Sequence, residues 1–206
     1  MPYGGKMSSS SACDASLRRA KSRLLHAITM RRSERWCFTL WSRFIRMRDR
    51  GVCLNCGSGQ QVEAHHIFRK TIYPAGRFEL GNGVALCRKC HWYLHEKFNG
   101  KPVEGESLNA RGGDDQDEIA FLYGLLVDDA KKNGLDQDEF YFISDEMLAF
   151  FNGWQGYEVF AESSCMSQLR KAHEIWRNMP SEWYRNVADD LLRILMMADL
   201  SRGEGA

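Results

Sequence analysis

Four cysteines constrain this chain more than any other feature. Cys53 and Cys56 form one Cys-x-x-Cys pair, Cys87 and Cys90 form another, and thirty residues separate the two. Two residues between thiolates let both reach one ion from a tight turn. Folding the intervening loop back then completes a tetrahedral four-thiolate site of the structural zinc kind. The alternatives, unrelated pairs or disulfides, give a reduced intracellular chain little reason for such spacing.

Between and just beyond the cysteines lies a second set with different chemistry. His65 and His66 are adjacent, Asn82 follows His66 by sixteen positions, and His91 and His95 stand at i and i+4. Neighbouring side chains on a strand point to opposite faces, so His65 and His66 are expected to hold different jobs. His91 and His95 share one face of a helix and can bind one metal together. Any one of these histidines alone would read as surface or packing; the ensemble does not.

The order Cys-x-x-Cys, Ala-His-His-Ile, Asn, Leu-Cys-x-x-Cys-His resembles the HNH family of nucleases over about fifty residues, matching type, order and spacing together. The resemblance implies an α+β fold: a small ββα-metal core with structural zinc, flanked here by an N-terminal helical arm and a C-terminal α-helical domain. It also implies roles. His66 matches the general base, and His65 the preceding metal ligand, where many members carry Asp. Asn82 matches the middle residue that orients the base, and His91 the final histidine, a ligand. His95 resembles the extra ligand of the colicin-type branch. The cofactors implied are structural Zn²⁺ and a catalytic divalent metal: Mg²⁺, Mn²⁺ or another transition metal.

The chemistry of phosphodiester hydrolysis asks for the same parts. An imidazole that is neutral near pH 7 can take a proton from water, as His66 would. A cation held by His65, His91 and His95 can neutralise the phosphate and the departing oxygen. Asn82 is expected to hydrogen-bond one imidazole nitrogen and so fix the tautomer.

The remainder of the chain supplies context. With 206 residues, 44% of them apolar, there is enough for one full domain or two small ones. No run of about 18 apolar residues suggests a membrane span and no short apolar segment near the start reads as a secretory signal. A cytoplasmic location is therefore the expectation. Residues 1–16 are expected to be a disordered tail, with Asp14 capping a helix that begins at Ala15. Residues 17–50 read as a basic helical arm, in which Ser33 precedes the apolar pattern Trp36, Cys37, Leu40, Trp41, Phe44, Ile45, and Gly51 sits where a C-cap would.

That arm carries eleven Arg or Lys against two acids, and residues 51–101 carry seven against three. So one-sided a charge favours contact with phosphate backbone, that is, DNA as partner. Arg69, Lys70, Arg77, Arg88 and Lys89 lie inside the nuclease-like stretch 51–100 and are expected to flank the scissile phosphate. Charge then reverses, with fifteen acids against three bases in residues 102–162, so the net +1 hides a polarised chain.

Residues 101–116 read as a linker, 117–200 as an acidic-to-neutral helical domain and 201–206 as a tail. Within that domain Ser144 is expected to cap one helix, Ser163 or Ser164 to start the next, and Ser181 a last one after Pro180. The segment DAKKNGLDQDEF mimics a calcium loop, but aligning Gly134 with the required glycine places Lys131 and Phe140 at ligand positions, which excludes it. The expected activity is metal-dependent cleavage of DNA, nicking as a monomer, as the nuclease of a phage or anti-phage system. Two other readings stay open: a non-catalytic zinc-stabilised nucleic-acid-binding module, and a subunit active only with a protein partner or through self-association of the C-terminal helices.

Overall fold

The computed structural model describes residues 9–96, 116–153, 166–178 and 194. Two helices, α1 (Ser9–Thr29) and α2 (Glu34–Arg48), precede a two-stranded antiparallel ribbon of β1 (Val62–His66) and β2 (Gly83–Cys87). Between the strands runs a loop with a 3-10 turn, Pro74–Phe78, and α3 (Arg88–Glu96) follows β2 directly. Helices α4 (Gln116–Asn133), α5 (Gln137–Phe140), α6 (Asp145–Gly153) and α7 (Gln168–Asn178) complete the described chain. The α+β class is thus as expected, and among the described residues no helix is long and apolar enough to cross a membrane.

Helix α2 forms as its pattern dictates. The Ser33 side chain accepts from Trp36 N, and Cys37, Leu40, Trp41, Phe44 and Ile45 make one buried face. Its C-terminus differs from expectation by one position. Arg50, at φ 57°, takes the left-handed place after the cap, and Gly51 N donates to Arg46 O at 2.7 Å while Arg50 N donates to Met47 O at 3.1 Å. This double closure is a Schellman motif. Helix α1 ends the same way on Arg31, with Arg32 N bonded to Ala27 O.

Three expectations need correction. Helix α1 begins at Ser9, not Ala15, so residues 9–16 of the expected tail are helical. Once a helix is nucleated, adding a residue gains a hydrogen bond cheaply, and Ser and Ala oppose this little. Helix α7 starts at Gln168, where Ser167 Oγ accepts from Arg170 N at 3.3 Å. Ser163, Ser164, Pro180 and Ser181 lie outside the described residues, as does nearly all of the linker. Ser144 does cap α6, accepting from Met147 N at 3.2 Å.

The third correction concerns the C-terminal helices, whose described residues share one hydrophobic core with the arm and the ribbon. Phe68, from the loop after β1, is one bridge. Its ring lies 5.3 Å from Phe151, 5.9 Å from Phe150 and 5.5 Å from Trp176. Charge follows packing: Arg18 pairs with Glu139 at 2.7 Å, and Arg50 pairs with Asp129. The acids of the C-terminal helices therefore neutralise part of the basic arm.

At the junction sits a fully buried ion pair. Arg48 gives Nε to Asp49 Oδ1 at 2.7 Å, Nη1 to Leu80 O at 2.6 Å and Nη2 to Gly83 O at 2.6 Å, over the ring of Tyr141 at 4.2 Å. Asp49 Oδ2 accepts from Ala85 N at 2.8 Å. A buried charge is tolerable when paired and fully hydrogen-bonded, and removing one partner strands the other. Asp49→Ala is expected to cost about 3–5 kcal/mol in urea unfolding, whereas Arg18→Ala, at an exposed pair, should cost under about 1 kcal/mol. Equal losses for the two would deny the buried pair its structural role.

Candidate metal centres and base

The cysteines meet as their spacing requires. The Sγ atoms of Cys53, Cys56, Cys87 and Cys90 all lie within 4.8 Å of one another, and Cys56 and Cys87 are 3.6 Å apart. Four sulfurs at about 2.3 Å from one ion would be spaced about 3.8 Å, so the cluster could hold a metal with little movement. The first pair sits on a tight turn closed by Gly57 N to Cys53 O at 2.8 Å, with Gly57 at φ 75°. Leu54 N donates to Ala85 O, docking that turn on β2, and Cys87 and Cys90 span the β2–α3 junction. Cys90 N donates to Cys87 Sγ, which brings the Cys87 thiol down to about 7. A thiolate is the ligating form, so this backbone contact readies one ligand.

His65, His91 and His95 form the second cluster, their nearest nitrogens within 4.8 Å. His91 Nε2 and His95 Nε2 are 2.9 Å apart, close to the spacing of two nitrogens that share an ion at about 2.1 Å. Burial, then the neighbouring imidazoles, push His65 down to about 3, so it is neutral with a lone pair to offer at pH 7. Glu63 Oε2 lies 3.2 Å from His91 Nδ1. A proton on Nδ1 there leaves Nε2 as the donor, the usual way a carboxylate fixes a ligand's tautomer. His95, the least secured by resemblance, is brought fully into the group.

His66 faces the other way. Its ring stacks on Trp41 at 4.1 Å and 9°, meets Phe38 edge-on at 5.7 Å, and places Nε2 2.9 Å from Arg77 O. A carbonyl only accepts, so Nε2 carries the proton and Nδ1 holds the free lone pair. Burial lowers the imidazole to about 4. Gly83 makes this possible: it pairs with His66 across the ribbon, and a Cβ there would come 2.5 Å from Trp41 Cζ2 and 2.8 Å from Ile45 Cδ1.

Asn82 does not do what was expected of it. It is buried, Oδ1 accepts from Phe68 N at 2.8 Å, and Nδ2 donates to Phe68 O at 3.0 Å and Gly76 O at 3.2 Å. It bonds no imidazole nitrogen. Its amide ties the inter-strand loop shut at two points, one residue before Arg77, whose carbonyl then meets His66. The orienting contact is Arg77 O, and Asn82 acts on the loop that presents it.

The expected phosphate-contacting residues fall in different places. Arg69 lies close enough to His95 to lower its pKa, after burial and His91, and Lys70 is exposed with Nζ 4.1 Å above Phe38. Arg88 and Lys89 are exposed on the first turn of α3. Arg77 is turned inward, donating Nη1 to Pro74 O at 2.9 Å and facing Glu34 at 3.7 Å. Of the arm's cations, Arg48 is buried and Arg18, Lys21 and Arg50 are bound to Glu139 or Asp129.

Sequence reasoning missed Glu63, Trp41 and Phe38. Glu63 was findable, since it stands two before His65 on a strand and so shares its face. Nothing local pointed to the Trp41 stack. Comparison with family models, with curated proteins and with solved structures gave no match.

The two clusters should be separable. Cys87→Ser is expected to abolish the thiolate-to-cobalt charge-transfer band of the Co²⁺-substituted protein and lower its melting temperature, because metal binding at such a site is folding energy. His66→Ala should leave both intact. Loss of the band in His66→Ala, or its full retention in Cys87→Ser, contradicts this division.

Proposed function

We propose that the chain is an HNH-type endonuclease that hydrolyses DNA phosphodiester bonds with a divalent metal at His65, His91 and His95, and with zinc at the four cysteines. The observation that carries this reading is the division of one dipeptide between two faces. His65 joins two other imidazoles, while His66, beside it, is held on one nitrogen with the other left as a proton acceptor. A binding module has no use for that second feature.

The roles follow from the contacts. Arg77 O keeps the proton on Nε2, so water would be deprotonated by Nδ1. A base lowered to about 4 is weak, and an anionic phosphodiester arriving beside it raises its proton affinity. Trp41 and Phe38 hold the ring in place. The metal, when bound, supplies charge for the phosphate and the leaving oxygen. Three nitrogen donors suit Mn²⁺, Co²⁺, Ni²⁺ or Zn²⁺ better than Mg²⁺, which prefers oxygen. Glu63 holds His91 in its ligating tautomer. A single such site cuts one strand per event, so a monomer nicks.

The test is nicking of supercoiled plasmid across a titration of Mn²⁺. His65→Ala should lose activity that raised Mn²⁺ partly restores, and His65→Asp should retain more, since carboxylate is a competent ligand. His66→Ala should fall by about 10²–10⁴-fold at every metal concentration. Rescue of His66→Ala but not His65→Ala reverses the two roles, and no nicking by the unaltered protein with any divalent metal refutes the reading.

A further inference from the structure

Outside the histidine cluster, an open groove runs along α2. Arg35, Thr39, Ser42 and Arg46 line it at i, i+4, i+7 and i+11, one stripe of the helix, and Lys70 faces them from the loop after β1. Phe38 floors the groove beneath the Lys70 ammonium, and the same ring touches His66. One ring therefore separates the groove from the candidate base.

The groove's arginines differ from those that meet acids elsewhere in the fold. Among the described residues neither Arg35 nor Arg46 is paired with a carboxylate, while Arg18, Arg48 and Arg50 all are. Glu34, the one acid lining the groove, stands at its end, 3.7 Å from Arg77. The Thr39 hydroxyl is turned back onto Arg35 O at 2.9 Å, and Arg46 Nε donates to Ser42 O at 3.3 Å, so between the cations the helix surface is low. From Arg35 to Arg46 the helix rises about 16 Å, which at about 3.4 Å per nucleotide spans roughly five steps of one strand.

We propose that this groove carries the phosphodiester backbone of a nucleic-acid strand to His66; the assignment deepens the nuclease reading and rests on it for the identity of the polyanion. Arg35 and Arg46 bind phosphates at the two ends, and Lys70 binds one near the reacting group. Cations on both walls of one groove, with a single apolar contact among them, fit a regularly charged polymer. An acidic protein segment would need sockets for side chains, and the groove offers only Phe38.

The experiment is fluorescence anisotropy of a short labelled DNA duplex with the full, zinc-loaded chain, without added divalent metal, over a range of salt. At about 0.1 M salt each phosphate contact contributes roughly eightfold through counterion release, with about 0.9 in the slope of log K against log salt. Arg35→Ala/Arg46→Ala is expected to lose at least tenfold in affinity and lower that slope by about 1.8, while Arg170→Ala on α7 changes neither. If the double variant melts early, Lys70→Ala decides alone, with a slope lower by about 0.9. An unchanged slope and affinity within twofold overturns the groove, and plasmid nicking by the unaltered protein then leaves the nuclease reading standing. Groove-dependent binding without nicking keeps the groove and sinks the nuclease. Displacement of the duplex by polyglutamate at equal charge concentration overturns the assignment in favour of an acidic protein partner.

Discussion

Everything that places the histidines depends on Arg48 and Asp49. Neither side chain reaches solvent, and between them they bind two carbonyls of the segment entering β2, an amide within β2 and the face of Tyr141. Burying such a pair costs desolvation energy that good geometry offsets and rarely exceeds. What it achieves is location. The end of α2 is fixed against the start of β2, which sets Trp41 against Gly83, and Trp41 then stacks on His66. The orientation of a candidate base thus traces back to an ion pair on another element.

Much of this was legible in the sequence, and what was not shares a physical reason. The cysteine cluster and the pairing of His91 with His95 follow from residue type and spacing, the place of His65 beside them from the family resemblance, and the caps at Ser33 and Ser144 from local hydrogen bonding. Arg48 read as one more cation among eleven, because burial is decided by partners thirty and more residues away. Asn82 was picked out correctly and given the wrong contact, since a side-chain amide is equally able to bond an imidazole or a backbone. The C-terminal helices were read as a domain apart because an acidic, glycine-containing stretch precedes them. Phe68 on a loop, with no periodicity to announce it, helps to join them to the rest, as do Tyr73 against Phe150 and Glu79 bonded to Ser144.

The polarised charge of the chain also reads differently in three dimensions. Part of the basic arm is turned against acids of α4 and α5, through Arg18, Lys21 and Arg50. An exposed pair such as Arg18–Glu139 adds little stability, while Arg50 meets a buried Asp129. Their effect is to sort the cations: those along the seam with the C-terminal helices are spoken for, while those on the outer stripe of α2 keep their field for solvent and whatever lies there.

A ribbon of two strands is marginal by itself, and its side chains alternate with a period of two, so slipping the pairing by one residue turns every side chain over. In most strands such a slip announces itself by putting charge in the core. Here residues 65 and 66 are both histidine, and the exchange would be invisible in composition while trading the imidazole beside His91 and His95 for the one stacked on Trp41. The frame is held at two places. The cysteine turn docks on Ala85 at the middle of β2, and Asn82 closes the loop at one end, where its carbonyl also accepts Ile67 N. Neither histidine has an identity of its own; each owes it to the strand's reading frame, and the cysteines and one amide keep that frame from shifting.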